Sequence, residues 1–528
     1  MLVTNVNYAF GFTDDEFDAL KSKSVALIAE QNEGKFAPEI MGYITYDLCG
    51  CLEKDKDDEN ATFHLLGLNC NPKKLRELGR DGRISLFSNL RAKNFDVCRK
   101  DLEELSESSE KLELDFPPET RGLFSECEKA VTTVAVVISQ NKHIYKLDLN
   151  YTFVGASGAT ALAKALEANK SLTHLGLSAN NIGDSGAMAL AEVLKANESL
   201  TRLSLEDNNI GDSGAMALAE VLKHNESLTC LDLSYNNIGD SGATALAEVL
   251  KHNESLTCLS LSHNRIGDSG ATALAEALKH NKSLTCLNLS INRIGDSGAT
   301  ALAKALEVNE SLTCLDLGAN DLQNSGVTAL AKALEVNKSL TYLKLENSRL
   351  YDSEATALAK ALEVNESLIY LDLSWNNIGD SGATALAKAL EVNESLTCLN
   401  LSNNRIKGSG LISIIKALRV NNSLVYLNLN QNELTSYCGS EFLKTLKVNK
   451  SLNYLGLSLR FGDIYYRRNE ELKDKFHSEL EQVLEKQENI TITHSFYEDY
   501  DPFYDLISQQ GILYLSIEGI LYPSREDI

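Results

Sequence analysis

Six copies of Gly-Asp-Ser-Gly-Ala begin at Gly183, Gly211, Gly239, Gly267, Gly295 and Gly379, and each offers a serine that resembles a hydrolytic nucleophile. Such a serine reacts only beside a histidine base and an orienting acid. No histidine recurs beside these serines, and a single active site has no use for six copies. Cys230, Cys258, Cys286 and Cys314 fall at constant spacing, as thiols laid out for a soft metal would. One thiol per strand makes a line, whereas zinc wants a tetrahedron. Duplication of near-identical units accounts for them better, so no metal and no cofactor is expected. A Cys-His site near the N-terminus would depend on His64 with Cys49, Cys51 or Cys70, but His64 lies in the apolar run FHLLGL, where packing is the simpler role. No Gly-x-x-x-x-Gly-Lys-Ser/Thr loop occurs, so no nucleotide switch of that kind is encoded. The chain is expected not to be an enzyme.

Composition narrows the partners. Across 528 residues, 50 Lys and Arg stand against 74 Asp and Glu, a formal net charge of −24. That balance disfavours nucleic-acid phosphates and anionic lipid, and suits a basic protein surface. The opening MLVTNVNYAFGFTDDEF lacks the basic and apolar stretches of a secretory leader. No apolar run reaches the roughly 20 residues of a membrane-spanning helix. Eleven cysteines without metal-ligand spacing, and Asn-x-Ser triplets at Asn169, Asn197, Asn225 and Asn253 that would otherwise invite glycans, point to a cytoplasmic protein with structural asparagines.

The elements that carry these residues are copies of one unit. Leu-x-Leu pairs run from Leu147, Leu175 and Leu203 to Leu455 at a 28-residue step, twelve times. A period in that range marks a solenoid. In SLTHLGLSANNIGDSGAMALAEVLKAN, Ser171 to Asn197, Leu172, Leu175 and Leu177 suit a short strand with one face inward. Asn180 recurs as a buried amide able to bridge neighbouring coils. Asp184 and Ser185 stand where a helix start needs a capping oxygen. Gly186 lets the helix approach the sheet, Leu190, Val193 and Leu194 fill the interior, and Asn197 is placed to end the helix in a left-handed conformation.

The unit LxxLxLxxNxIxxxGAxALAxxLxxNxSL resembles the leucine-rich repeat of the ribonuclease-inhibitor type, also found in the sensor arrays of NOD-like receptors, over about residues 130 to 457. The resemblance implies an α/β solenoid, a curved parallel sheet inside and helices outside. Residues 1–120 are read as a small, mainly helical N-terminal domain, 121–465 as the repeats, and 466–528 as a C-terminal cap with an acidic aromatic tail. AVTTVAVVISQN, Ala130 to Asn141, is expected to seat an N-terminal cap, a helix is expected from about 469 to 488, and NITIT from Asn489 reads as a last strand.

Alternation places the residues flanking each Leu-x-Leu on the inner face. Otherwise copied repeats diverge most at Tyr342, Lys344, Glu346, Asn347, Arg349, Tyr370, Asp372 and Trp375, a concentration of residue types that anchor protein interfaces. A protein partner is expected there. On the outer helices the Glu192/Lys195 pattern turns into Lys304/Glu307, as a solvated face with weak i,i+3 pairs would.

FAPEIMGYITYDL, Phe36 to Leu48, resembles the first helix of an F-box, with Pro38, Glu39, Ile40, Met41, Ile44 and Leu48 in register. ATFHLLGLNCNPKKL is read as the next helical pair. The resemblance implies a second possible role, a substrate adaptor whose Pro38, Ile40, Met41, Ile44 and Leu48 dock on a ubiquitin-ligase subunit, including in a bacterial effector delivered into a host cytoplasm. The first expectation is a non-enzymatic protein-interaction scaffold.

Overall fold

The computed structural model describes residues 128–142, 144–432, 444–445 and 447–456, together with short strands at 63–65, 68–70, 112–115 and 491–493. The chain divides into two compact units, 1–340 and 341–528. In the first, strands β1 (Phe63–Leu65), β2 (Leu68–Cys70), β3 (Leu112–Asp115), β4 (Ile144–Asp148), β5 (His174–Gly176), β6 (Arg202–Ser204), β7 (Cys230–Asp232), β8 (Cys258–Ser260), β9 (Cys286–Asn288) and β10 (Cys314–Asp316) pair in chain order. Pairs β1–β2 and β2–β3 are antiparallel, and from β3 onward the pairing is parallel.

The helices of this unit are α1 (Glu128–Gln140), α2 (Gly155–Ala168), α3 (Gly183–Leu194), α4 (Asp212–Leu222), α5 (Asp240–Leu250), α6 (Asp268–Leu278), α7 (Asp296–Leu306) and α8 (Gln323–Val336). The second unit holds β11 (Tyr342–Lys344), β12 (Tyr370–Asp372), β13 (Cys398–Asn400), β14 (Tyr426–Asn428), β15 (Tyr454–Gly456) and β16 (Thr491–Thr493), all parallel, with α9 (Asp352–Leu362), α10 (Asp380–Leu390) and α11 (Gly408–Ala417). The strand expected in NITIT is β16, and the expected cap helix is α1. The helix expected at 469–488 lies outside the described residues.

The reading of Ala61 to Leu75 as a helical pair is corrected, since residues 63–65 and 68–70 are paired strands. Only Leu66 and Gly67 separate them, the two-residue spacing of a tight hairpin.

Each repeat buries the residues that the periodicity points inward: Leu172, Leu175, Leu177, Ile182, Leu190 and Leu194 are all nearly inaccessible. Burying each Leu or Ile contributes on the order of 1.5–3 kcal/mol. Polar side chains then tie consecutive repeats together. Asn236 Nδ2 donates to Leu205 O of the preceding repeat (2.9 Å), and its Oδ1 accepts from the Asn208 and Ile210 amides (3.1 and 2.8 Å). The same arrangement recurs at Asn180, Asn208 and Asn376, and Asn264 Oδ1 accepts from the Ile238 amide.

Two capping expectations are corrected. Asp184 does not cap its own helix. Its Oδ1 accepts from the amides of Gly211 and Gly214 (2.7 and 2.9 Å), at the start of the next helix, α4. Asp212, Asp240, Asp268 and, in the second unit, Asp352 repeat this. The glycine after Ser is therefore required by crowding from the preceding repeat: a Cβ on Gly270 would lie 2.8 Å from Asp240 Oδ1 and 3.0 Å from Ala243 Cβ. Its role is close helix-to-helix stacking, where closeness to the sheet was expected.

The asparagine at the helix end is likewise extended, not left-handed: Asn169 has φ −77 and ψ 130, and Asn337 φ −71 and ψ 134. It acts through its side chain. Asn225 Nδ2 donates to Leu194 O and Asn197 O, while Oδ1 receives the Ser227 and Leu228 amides. This burial of Asn169, Asn197, Asn225 and Asn253 gives the Asn-x-Ser triplets a structural purpose. Glu354, which breaks the glycine pattern, takes the Tyr351 amide at 2.7 Å and so closes the start of its own helix, α9.

Candidate recognition surface

The strands present three side-chain columns on the sheet face away from the helices. The first holds the residue opening each strand, the second the residue between the two leucines, and the third lies in the turn that follows. Two residues past each second Leu, the backbone enters the left-handed region: Asp207, Tyr235, His263, Ile291 and Ala319 have φ between 51 and 53, and in the second unit Asn347, Trp375, Asn403 and Gln431 lie between 48 and 57. These turn amides donate to the next repeat, Tyr235 to Ser262 O at 3.0 Å and Trp375 to Ser402 O at 2.9 Å. A large side chain at such a position is held out from the coil.

In the second unit the residues singled out from the sequence separate into two sets. Tyr342 and Tyr370, register partners on β11 and β12, stack with centroids 4.2 Å apart and planes 9° off parallel. The Tyr370 hydroxyl donates to Asp372 Oδ2 (3.1 Å), which also accepts from Asn400 Nδ2 (3.0 Å), while Asp372 Oδ1 takes the Ser374 amide (2.8 Å). Lys344 Nζ lies 5.9 Å from the Tyr342 ring centroid. Tyr342, Tyr370 and Asp372 are buried within this network, Lys344 and Glu346 are half-buried, and Asn347 and Arg349 are exposed. Trp375 is 60% exposed. The geometry thus brings a closed aromatic and carboxylate floor together with projecting Trp375, Arg349 and Asn347. Tyr426 and Tyr454 stack in the same way at 4.2 Å.

The first unit holds features that the sequence reading passed over. Tyr235 and His263, in the turn column, stack at 3.8 Å and 12°. Beside them, burial, with help from Asp232 and Asp207, pushes the Glu206 carboxyl up to about 7. Burial likewise raises the Asp232 carboxyl to about 6, against the hydrogen bonds it receives from Ser234. Burial lowers the His263 pKa. The signal lies in the turn column, which reads Asp207, Tyr235, His263, Ile291 down the repeats.

Chemistry of the other candidate groups is bounded by placement. The GDSGA serines stand exposed in the first turn of their helices. Among the described residues no group of three or more His, Cys, Asp or Glu is arranged to hold a metal ion. No helix among them is long and apolar enough to cross a membrane. His64 lies on β1 opposite Asn69. Pro38, Ile40, Met41, Ile44 and Leu48 lie outside the described residues, as do Cys49 and Cys51.

A family model described as the NLRC3 LRR domain matches residues 125–460, well over half of the chain. The chain belongs to the NLRC3 LRR domain family. Its leucine-rich repeats are thereby those read from the 28-residue period. Solved structures similar to it include an internalin from Listeria monocytogenes, at 18% identity over 69% of this chain and 89% of that one, TM-score 0.38. The leucine-rich repeat domain of APL1B matches at 18% identity over 67% and 88%, TM-score 0.33. TLR13 in a complex with single-stranded RNA matches at 21% identity over 63% and 47%, TM-score 0.38. No curated protein matches the chain.

Proposed function

We propose that the leucine-rich repeats form a binding scaffold for another protein, with the partner held on the strand-lined face and anchored at Trp375. The observation that carries this reading is the exposure of the one tryptophan of the chain, 60%, on a left-handed turn that projects it from the coil. An exposed indole is a costly surface for an isolated protein and a frequent anchor in an interface. Arg349 and Asn347 stand exposed in the preceding repeat, and Tyr342, Tyr370 and Asp372 form the rigid floor beneath. A floor locked by stacking and hydrogen bonds loses little entropy when a partner lands on it. Lys344 and Glu346 complete the edge of the patch.

The test uses the full chain, its Trp375→Ala and Arg349→Ala variants, and Met188→Ala as a control for an exposed apolar residue on a helix. Proteins captured from cytosol by the full chain and by Met188→Ala, and lost from both of the other variants, support the reading. The same proteins bound by all four chains would overturn it. Because Trp375 is the sole tryptophan, its emission reports directly on the patch: a captured partner that docks there shifts it to shorter wavelength.

A further inference from the structure

Cys230, Cys258, Cys286 and Cys314 open β7, β8, β9 and β10 and are register partners in sequence, each beside the next. Adjacent parallel strands run about 4.8 Å apart. That separation lies inside the roughly 4.4–6.8 Å between Cα atoms that a disulfide spans. All four are unbridged, yet they differ in access: Cys230, Cys286 and Cys314 are buried, and Cys258 alone keeps partial access to solvent. A small reagent arriving from solvent therefore meets Cys258 first, with a thiol on either side of it.

We infer that Cys258 is a hydroperoxide-reactive thiol whose oxidised form is resolved by Cys230 or Cys286 into a disulfide within the chain. The Cys258 thiolate sulfur attacks one peroxide oxygen, the O–O bond breaks, and hydroxide leaves to take a proton as water, giving the sulfenic acid. The sulfur of Cys230 or Cys286 then attacks the Cys258 sulfur, the S–O bond breaks, and a second water leaves. Two thiols supply the two electrons that reduce the peroxide. The arrangement favours the first step, because S–H donation from both neighbours and the Arg202 charge hold Cys258 below the usual thiol range, while Cys230 and Cys286 are raised. Acidic, accessible thiols next to a resolving cysteine are the ones that peroxide oxidises selectively.

Cys398 supplies an internal control. It occupies the same column on β13, is buried, and has Tyr370 and Tyr426 as register partners. The full chain is treated with hydrogen peroxide, the remaining thiols are alkylated at intervals, and each cysteine peptide is followed by mass spectrometry. Cys258 is expected to be consumed at least about tenfold faster than Cys398, with Cys258–Cys230 or Cys258–Cys286 cross-linked peptides appearing in step. This comparison needs no substitution. Cys258→Ser is expected to abolish both cross-links, and the double variant Cys230→Ser/Cys286→Ser to leave a sulfenic acid on Cys258 that a cyclic diketone captures. Equal consumption of Cys258 and Cys398, cross-links among the other thiols at an unchanged rate in Cys258→Ser, or no diketone adduct in the double variant would each overturn the inference.

Discussion

Asn236→Ala tests whether the asparagine ladder holds the repeats together. The side chain is buried: its two Nδ2 hydrogens are shared among Leu205 O, Leu233 O and Ser234 O, and its Oδ1 accepts from the Asn208 and Ile210 amides. Truncation leaves two buried N–H donors of the preceding repeat without their acceptor, at about 1–3 kcal/mol each, partly relieved if water enters. The expected loss is about 3 kcal/mol. A solenoid need not unfold in one step, so the sharper readout is amide hydrogen exchange at Asn208 and Ile210. At 1.4 kcal/mol per decade, about 3 kcal/mol predicts roughly a 100-fold faster exchange there. Lys195→Ala is the control: it removes a 2.6 Å ion pair with Glu192 on the exposed helix face, a kind of pair worth about 0–1 kcal/mol. If Asn236→Ala costs no more than Lys195→Ala and leaves the Asn208 and Ile210 amides protected, the ladder is not what secures the coils.

Three further outcomes follow from the same geometry. Glu206 is protonated up to about 7 in the folded chain against 4.5 as its ordinary value, so its contribution is fully present below pH 4.5 and lost as pH rises through about 7; Glu206→Gln should melt higher than the parent at pH 8 and equally near pH 4, and a difference independent of pH would refute this. Gly270→Ala forces a Cβ to 2.8 Å from Asp240 Oδ1 and should cost about 1–3 kcal/mol through crowding, whereas Gly183, at φ +61 with nothing within 4 Å, should accept Asn with a far smaller change in urea midpoint. Ile291, β-branched at φ 51, should be improved by about 1 kcal/mol on replacement with Asn, the residue that Asn403 already supplies in this column, as read by thermal melting.

The fold was legible because every repeat makes the same demands at the same spacing: two leucines for the strand, an amide for the turn, small residues where helices stack. What those polar residues bond to was not legible. In an array of copies, an aspartate that caps its own helix and one that caps the next helix leave the same letters at the same positions, so Asp184 and Asn197 were assigned to the wrong coil or the wrong conformation. The outward direction of Tyr342 and Tyr370 followed from alternation, but their burial did not. Rings repeated at the strand spacing lie face to face and close each other off, which a column of letters does not display. Trp375 escaped this because its flanking residues in the turn column are Asn347 and Asn403, too small to cover it.

The interlocking of aspartate and asparagine gives the array a direction. A repeat takes the acceptor for its helix start from the repeat before it, and the acceptor for its turn from the repeat after it. Like a polymer with unlike ends, the stack therefore presents open helix amides where it is cut on one side and open turn amides where it is cut on the other. Where consecutive copies carry the same aspartate and asparagine, as they do from Asp184 to Asp268, a whole 28-residue unit can be gained or lost without changing either junction. Length is thus a free variable for the interior, while each terminus needs its own distinct closure.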